Sequence, residues 1–361
     1  MSAFAYELAT LLAAQSHATP GHPDGANSMP WYLVVGEPGS GRSSAVKALN
    51  LSWPRGDAPV PMNQPQPACT YWLAEKAAFI EPGSSVMGPN RGHTKLQELC
   101  HELKVKRPRE PIDGIVLVVS TTNLADSGDE GTARYGRALR TYLVEIAQAL
   151  GADVPCYVVV SSFDDLWGFG DVFQWTHERR DEEAWGFSLP VELPDSKTPE
   201  RVRSDLEALS ARVESMCFAK LSAEVSSDVR ARAFQHLSEA RRVMARLSEF
   251  MDVITMANAF ERAPWVRALV LGSALPGTGQ RLRHNVGVLQ QMGLAPPDQS
   301  GTPQPGGMPM HAMLDTVMLQ ERDIVPTRTR WRDDKLIVFA MIVGVLAWIG
   351  FAVMMVMRMR A

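Results

Sequence analysis

The stretch YLVVGEPGSGRSS, residues 32–44, runs from an apolar β-branched segment through a glycine-rich turn into small hydroxyl residues. Strand, Gly-rich loop and helix start, in that order, are the signature of a phosphate loop, GxxxxGK[ST]. Its glycines let backbone N–H groups turn inward on phosphate oxygens. Its lysine reaches the β- and γ-phosphates, and its hydroxyl ligates Mg²⁺. Here Gly36, Gly39 and Gly41 supply the turn around Ser40, Ser43 supplies the hydroxyl and Ser44 follows, but Arg42 stands where Lys belongs. A planar guanidinium on a longer stem cannot take the compact ammonium position without moving either itself or the phosphate. The segment therefore reads as an ancestral nucleotide site with one altered contact, against the plainer reading of a Gly-rich strand-to-helix turn that holds no ligand.

Outward from this loop the chain alternates strands and helices. Strand segments are expected at Tyr32–Gly36, Ala77–Ile80, Gly114–Ser120, Cys156–Ser161 and Val266–Leu271. Several are unbroken apolar runs, the pattern of strands covered on both faces. Within 130–150, Tyr135, Leu139, Tyr142, Leu143, Ile146 and Leu150 recur at three- and four-residue spacing and make one helical stripe. The segment 199–260 repeats the pattern with Leu206, Leu209, Val213, Met216, Leu221, Phe234, Leu237, Val243, Leu247 and Phe250. A doubly wound α/β domain with a helical subdomain is the economical architecture. Pro- and Gly-rich stretches at 54–68 and 293–310 mark loops. No repeat of fixed period is present.

Composition bounds the function. With 45% hydrophobic and 21% charged residues the 361-residue chain has a globular balance, which excludes disorder over most of its length. A net charge of −4 argues against nucleic acid as a partner. Cys69, Cys100, Cys156 and Cys217 are far apart with no CxxC, so neither a zinc site nor a disulfide framework is indicated. The apolar N-terminal stretch carries Glu7 and has no basic residue ahead of it, which marks a helix packing on the domain and not a secretory signal. By contrast, LIVFAMIVGVLAWIGFAVMMVM at 336–357 contains no charge. At 1.5 Å rise per residue it reaches ~33 Å, enough for the hydrocarbon core of a bilayer. Arg328, Arg330, Arg332 and Lys335 precede it and only Arg358 and Arg360 follow, a bias that puts the large N-terminal part in the cytoplasm.

Several phrases together resemble one family. PWYLVVGEPGSGRSSAVKALNLSWP (30–54), CTYWLAEKAAFIE (69–81), KRPREPIDGIVLVVSTTNL (106–124), PCYVVVSSFDDLWGF (155–169), RALVLGSALPGTG (267–279) and LDTVMLQERDIV (314–325) follow, in order, the cytoplasmic P-loop region of the TssM/IcmF family, the inner-membrane scaffold of type VI secretion systems. The resemblance implies a P-loop NTPase-like domain at 29–198 after an N-terminal helix and linker (1–28). It further implies a helical subdomain at 199–264, a closing strand, loop and juxtamembrane helix at 265–334, a transmembrane helix at 335–357 and a tail at 358–361. It also implies GTP or ATP with Mg²⁺ as ligand, held by Gly36, Gly39, Ser40, Gly41, Arg42, Ser43 and Ser44, with Asp165 reading the base and Ser43 and Glu81 at the metal.

Departures from the family pattern weaken that ligand. The family's Asp-Thr-Ala-Gly turn reads Glu81, Pro82, Gly83, Ser84, so the carboxylate stem is longer and a backbone donor is lost. Its Thr-Lys-x-Asp element reads Ser162, Phe163, Asp164, Asp165, which removes the Lys stem, and a buried strand-end Phe163 is the plainer expectation for that position. Chemistry by positioning tolerates little displacement. The expected function is a single-pass inner-membrane component of a type VI secretion complex with a degenerate nucleotide site, no assignable catalytic residue, and TssL-like and TssK-like proteins as partners. The alternatives are a working NTPase switch, in which the nucleotide is still bound and turned over, and an IcmF-like component of another envelope process.

Overall fold

Five apolar runs form the parallel part of a seven-stranded sheet. The computed structural model describes residues 2–18, 28–49, 51–53, 59–62, 64, 66–88, 93–173, 185–257, 261–272, 313–322, 324–325, 343 and 348. Its strands are β1 (Trp31–Val35), β2 (Cys69–Leu73), β3 (Ala78–Pro82), β4 (Gly114–Ser120), β5 (Pro155–Ser161), β6 (Gly186–Ser188) and β7 (Trp265–Leu271). They lie in the order β2-β3-β1-β4-β5-β7-β6, with the edge strands β2 and β6 antiparallel to their neighbours and all other pairs parallel. The five expected strands are present, Gly114–Ser120 with unchanged bounds and the other four shifted at an end by a residue or two. Neither edge strand carries an unbroken apolar run, and β6 has only three residues, so the pattern did not announce them.

The helices are α1 (Ala3–Ala18), α2 (Arg42–Lys47), α3 (Ser84–Met87), α4 (His93–Lys106), α5 (Thr121–Asp126), α6 (Asp129–Leu150), α7 (Phe169–Phe173), α8 (Thr198–Ala223) and α9 (Ser227–Thr255). Alternate strand residues feed two cores, as the two-residue period of a strand requires. Leu33, Val35, Ile115, Leu117, Val158 and Val160 face a layer that includes Leu8, Leu99, Leu143 and Phe250 from α1, α4, α6 and α9. Tyr32, Val34, Val116, Val118, Tyr157 and Val159 face Ala45 and Val46 of α2 and the residues Met313, Leu314 and Met318.

Two buried ionic groups have structural roles. Glu7, fully buried on α1, accepts from Tyr71 Oη at 2.9 Å and the Ala68 N–H at 2.8 Å, which ties α1 to β2. Arg107 donates to Asp113 Oδ2 at 3.2 Å and to the Met29 carbonyl at 3.2 Å, and its guanidinium lies 4.8 Å from the Trp31 ring centre. The same Asp113 oxygen accepts from the Trp31 N–H at 2.7 Å. The Arg-Pro…Asp-Gly phrase thus clamps the start of β4 to the start of β1.

The segment 199–260 forms the α8–α9 hairpin over its described residues. α9 packs on α6, and α8 buries a single stripe, Val202, Leu206, Leu209, Val213 and Cys217. Phe234, expected in the apolar stripe, is instead 60% exposed. The buried stripe of α9 runs through Ala233, Leu237, Ala240, Val243, Met244, Leu247 and Phe250, and Phe234 is turned about 100° away from Ala233 at the helical repeat. Among the described residues no helix is long and apolar enough to cross a membrane, and the uncharged 336–357 stretch, apart from Val343 and Trp348, lies outside them.

Candidate functional site

Parallel strands deliver their C-terminal ends to one edge of the sheet, and β1, β3, β4 and β5 bring the sequence-expected residues there. The turn after β1 uses Gly39 and Gly41 at φ 83° and 82°, values an L side chain rarely adopts. Gly36 is needed for close approach, since a Cβ there would come within 2.7 Å of both Ser40 Oγ and the Val118 carbonyl. Ser161 at the end of β5 donates to the Ser40 carbonyl at 2.6 Å. Asn123 of α5 donates to Glu37 Oε2 at 3.0 Å, and burial raises the pKa of that Glu37 carboxyl above the usual range. The loop is held from β4–α5 and from β5 at once. Ser40 Oγ is buried with no hydrogen-bond partner among the described residues, and Ser44 is half-buried on α2.

The side chains at the mouth of the turn are engaged with β3. Ser43 Oγ lies 2.8 Å and 3.0 Å from the two oxygens of Glu81, so its proton is shared with that carboxylate. Trp72 Nε1 donates to Glu81 Oε2 at 3.3 Å. Arg42 is buried, with its Nε 3.6 Å from Glu81 Oε1 and its Nη1 donating to the Pro82 carbonyl at 2.6 Å. Its Cγ lies 3.3 Å from where a Cβ on Gly36 would be, so the stem crosses the loop on its way to β3. Burial lowers the Arg42 pKa and the Glu81 charge opposes that. The family resemblance implies Ser43 and Glu81 at one metal, and the two side chains do meet. The sequence does not foresee that Arg42 reaches Pro82, forty positions on and with no pattern connecting them.

Asp165 lies in a short 3₁₀ turn, Phe163–Asp165, just past the strand whose Ser161 touches the loop. Ser162 enters that turn at φ 59°, an uncommon conformation for a residue with a side chain. Phe163 is fully buried against Phe169 and His236, as the plainer expectation had it.

A Mg²⁺-nucleotide requires a hydroxyl near a carboxylate and a cation free to meet the phosphates. The first requirement fits Ser43 and Glu81. The second does not fit Arg42, whose donors are directed to Pro82 and Glu81.

The strand order, the glycine turn after β1 and the carboxylate at the end of β3 define an α/β protein with a phosphate-loop-like edge. The IcmF-related N-terminal domain model matches residues 90–346, so the chain belongs to the IcmF-related family. It is also 26% identical over 293 residues to the type VI secretion system component TssM1 of Pseudomonas aeruginosa, which aligns with 75% of this chain. The chain spans about a quarter of that protein, 26% of its length. The crystal structure of the cytosolic domain of the T. maritima FeoB iron transporter in a GDP form covers 63% of this chain and 98% of its own, at 13% identity and a TM-score of 0.24.

Proposed function

We propose that this chain is a membrane-anchored structural or regulatory component of a type VI secretion complex, with a nucleotide site that has become degenerate. The observation that carries the reading is family membership over 90–346, joined to a phosphate loop whose cation is committed to its own chain. The uncharged 336–357 stretch and the basic residues ahead of it support a single inner-membrane span with the sheet domain in the cytoplasm. The domain limits given by the sequence phrases belong to the same reading.

Partners are envelope and baseplate proteins of the secretion system, TssL-like and TssK-like. The α8–α9 hairpin is the surface assigned to them, and the exposure of Phe218, Val225 and Phe234 near its tip supports that assignment. The retained Ser43–Glu81 contact favours a second reading, a working GTP or ATP switch with Mg²⁺. Crosslinking in intact cells, followed by identification of what is captured, tests the first reading. Secretion-system components are expected, together with a secretion defect in a deletion strain, whereas capture of none alongside normal secretion overturns it. Nucleotide turnover by the purified chain that disappears on replacing Arg42 and Ser43 would favour the switch.

A further inference from the structure

The guanidinium of Arg42 stands among oxygens. It contacts Glu81 Oε1 at 3.6 Å and the Pro82 carbonyl at 2.6 Å, and the Ser43 hydroxyl shares the same carboxylate at 2.8 Å and 3.0 Å. A carboxylate, a backbone carbonyl and a hydroxyl are the hard oxygen donors that Mg²⁺ or Mn²⁺ takes. Both Arg42 and Glu81 are 8% exposed, so water does little to balance either charge.

We propose that Arg42 is the resident cation of this edge. It neutralises Glu81 and joins α2 to the end of β3, the two elements that a bound divalent ion would join, and it leaves the site closed to that ion. The loop is then held in one arrangement whether or not nucleotide is near. This rests on the degenerate-site reading but goes beyond it, because it says what has replaced the metal. It also predicts that removing the arginine creates a metal site where the natural chain has none.

The test is thermal unfolding of the whole chain with and without MnCl₂. The natural chain is expected to show no change in Tm that depends on Ser43 or Glu81. Arg42→Ala and Arg42→Gln are expected to lose stability without metal and to regain about 3 °C or more in millimolar Mn²⁺, as a ligand bound only by the folded state would give. Ser43→Ala or Glu81→Gln placed on either background should erase that gain. Two results overturn the proposal: a Ser43-dependent Mn²⁺ response in the natural chain, or folded Arg42 variants with no response.

Should both Arg42 variants fail to give a cooperative transition, the pair Arg42→Gln with Glu81→Gln decides. A charge-balancing role requires the double variant to unfold cooperatively and to melt above Glu81→Gln, and any other result overturns the idea. Nucleotide binding by the natural chain, measured separately with GTP and ATP in EDTA, bears on the degenerate-site reading alone and leaves the Mn²⁺ comparison to judge the arginine.

Discussion

Buried residues that can change charge are where this protein's stability responds to its surroundings. His236 of α9 is fully buried, its Nδ1 lies 3.2 Å from the Trp167 carbonyl, and the rings of Phe163, Phe169 and Phe173 surround it. Burial pushes its pKa from 6.5 down to about 4, opposed by the Trp167 and Leu166 carbonyls and by Asp171, which Arg232 holds in turn. The folded state keeps the ring neutral while the unfolded chain binds a proton below about pH 6.5, so stability falls as pH drops from 6.5 to 4 and this loss then ends. The total is on the order of 3 kcal/mol. His236→Gln keeps a donor for Trp167 and removes the titration, so its unfolding free energy should change less steeply across that interval, and an unchanged slope would show the proton is taken up elsewhere. Residue partners of this kind were poorly legible in sequence. Phe163 was expected at a buried strand end, but nothing in the spacing tied it to His236 in a helix far along the chain.

Helices were legible where one apolar stripe is continuous, and less so where two helices come unusually close. α6 shows its stripe plainly, and all six expected positions are buried. What the stripe does not reveal is the reason for Gly136 within it: a Cβ there would sit 3.0 Å from both Cβ and Cγ1 of Val253 and 3.5 Å from Phe250 Cδ2. The glycine lets α9 approach. One turn on, Arg140 donates to the carbonyls of Val253 at 2.8 Å and Ile254 at 3.2 Å and to that of Met256, closing the C-terminal end of α9 where backbone acceptors lack helical partners. Helix propensity alone favours Gly136→Ala by about 1 kcal/mol. Crowding against Val253 should outweigh it, leaving the variant ~1–2 kcal/mol less stable in denaturant unfolding. A variant more stable than the natural chain would mean the two helices can separate at no cost. Edge strands were the least legible elements, because Thr70 interrupts the apolar run of β2, β6 has only three residues, and Gly186 of β6 is present for contact: a Cβ there would fall 2.0 Å from the Leu269 carbonyl.

At the scale of the molecule, the segment around the π-helical turn Leu314–Met318 packs onto one face of the sheet. Its apolar residues pack against Tyr32, Val118 and Tyr157 on the face opposite α6 and α9, and Tyr32 donates to the Met318 carbonyl at 2.8 Å. Arg267 of β7, 2% exposed, forms a paired contact with Glu321, through Nε to Oε2 at 3.1 Å and through Nη2 to Oε1, while Tyr157 donates to Oε2 at 3.1 Å. Breaking such a buried pair from one side leaves an uncompensated charge and costs about 3–5 kcal/mol. The sequence marked both ends of this contact as family phrases, Arg267 in one and Glu321 in the other, without showing that they meet.

Because the contact joins the sheet to the residues that lead toward the uncharged stretch, it should act as the mechanical link between the domain and the proposed span. Glu321→Ala is therefore expected to raise amide exchange at Leu319 and Glu321, whose N–H groups bond to Leu314 and Val317, far more than at the β4 and β5 strand amides. Equal acceleration everywhere would mean the segment unfolds only with the sheet, as one cooperative unit. No acceleration at Leu319 or Glu321 would mean that Tyr32 and the apolar contacts hold the segment without the ion pair, and Arg267 would then serve β7 alone.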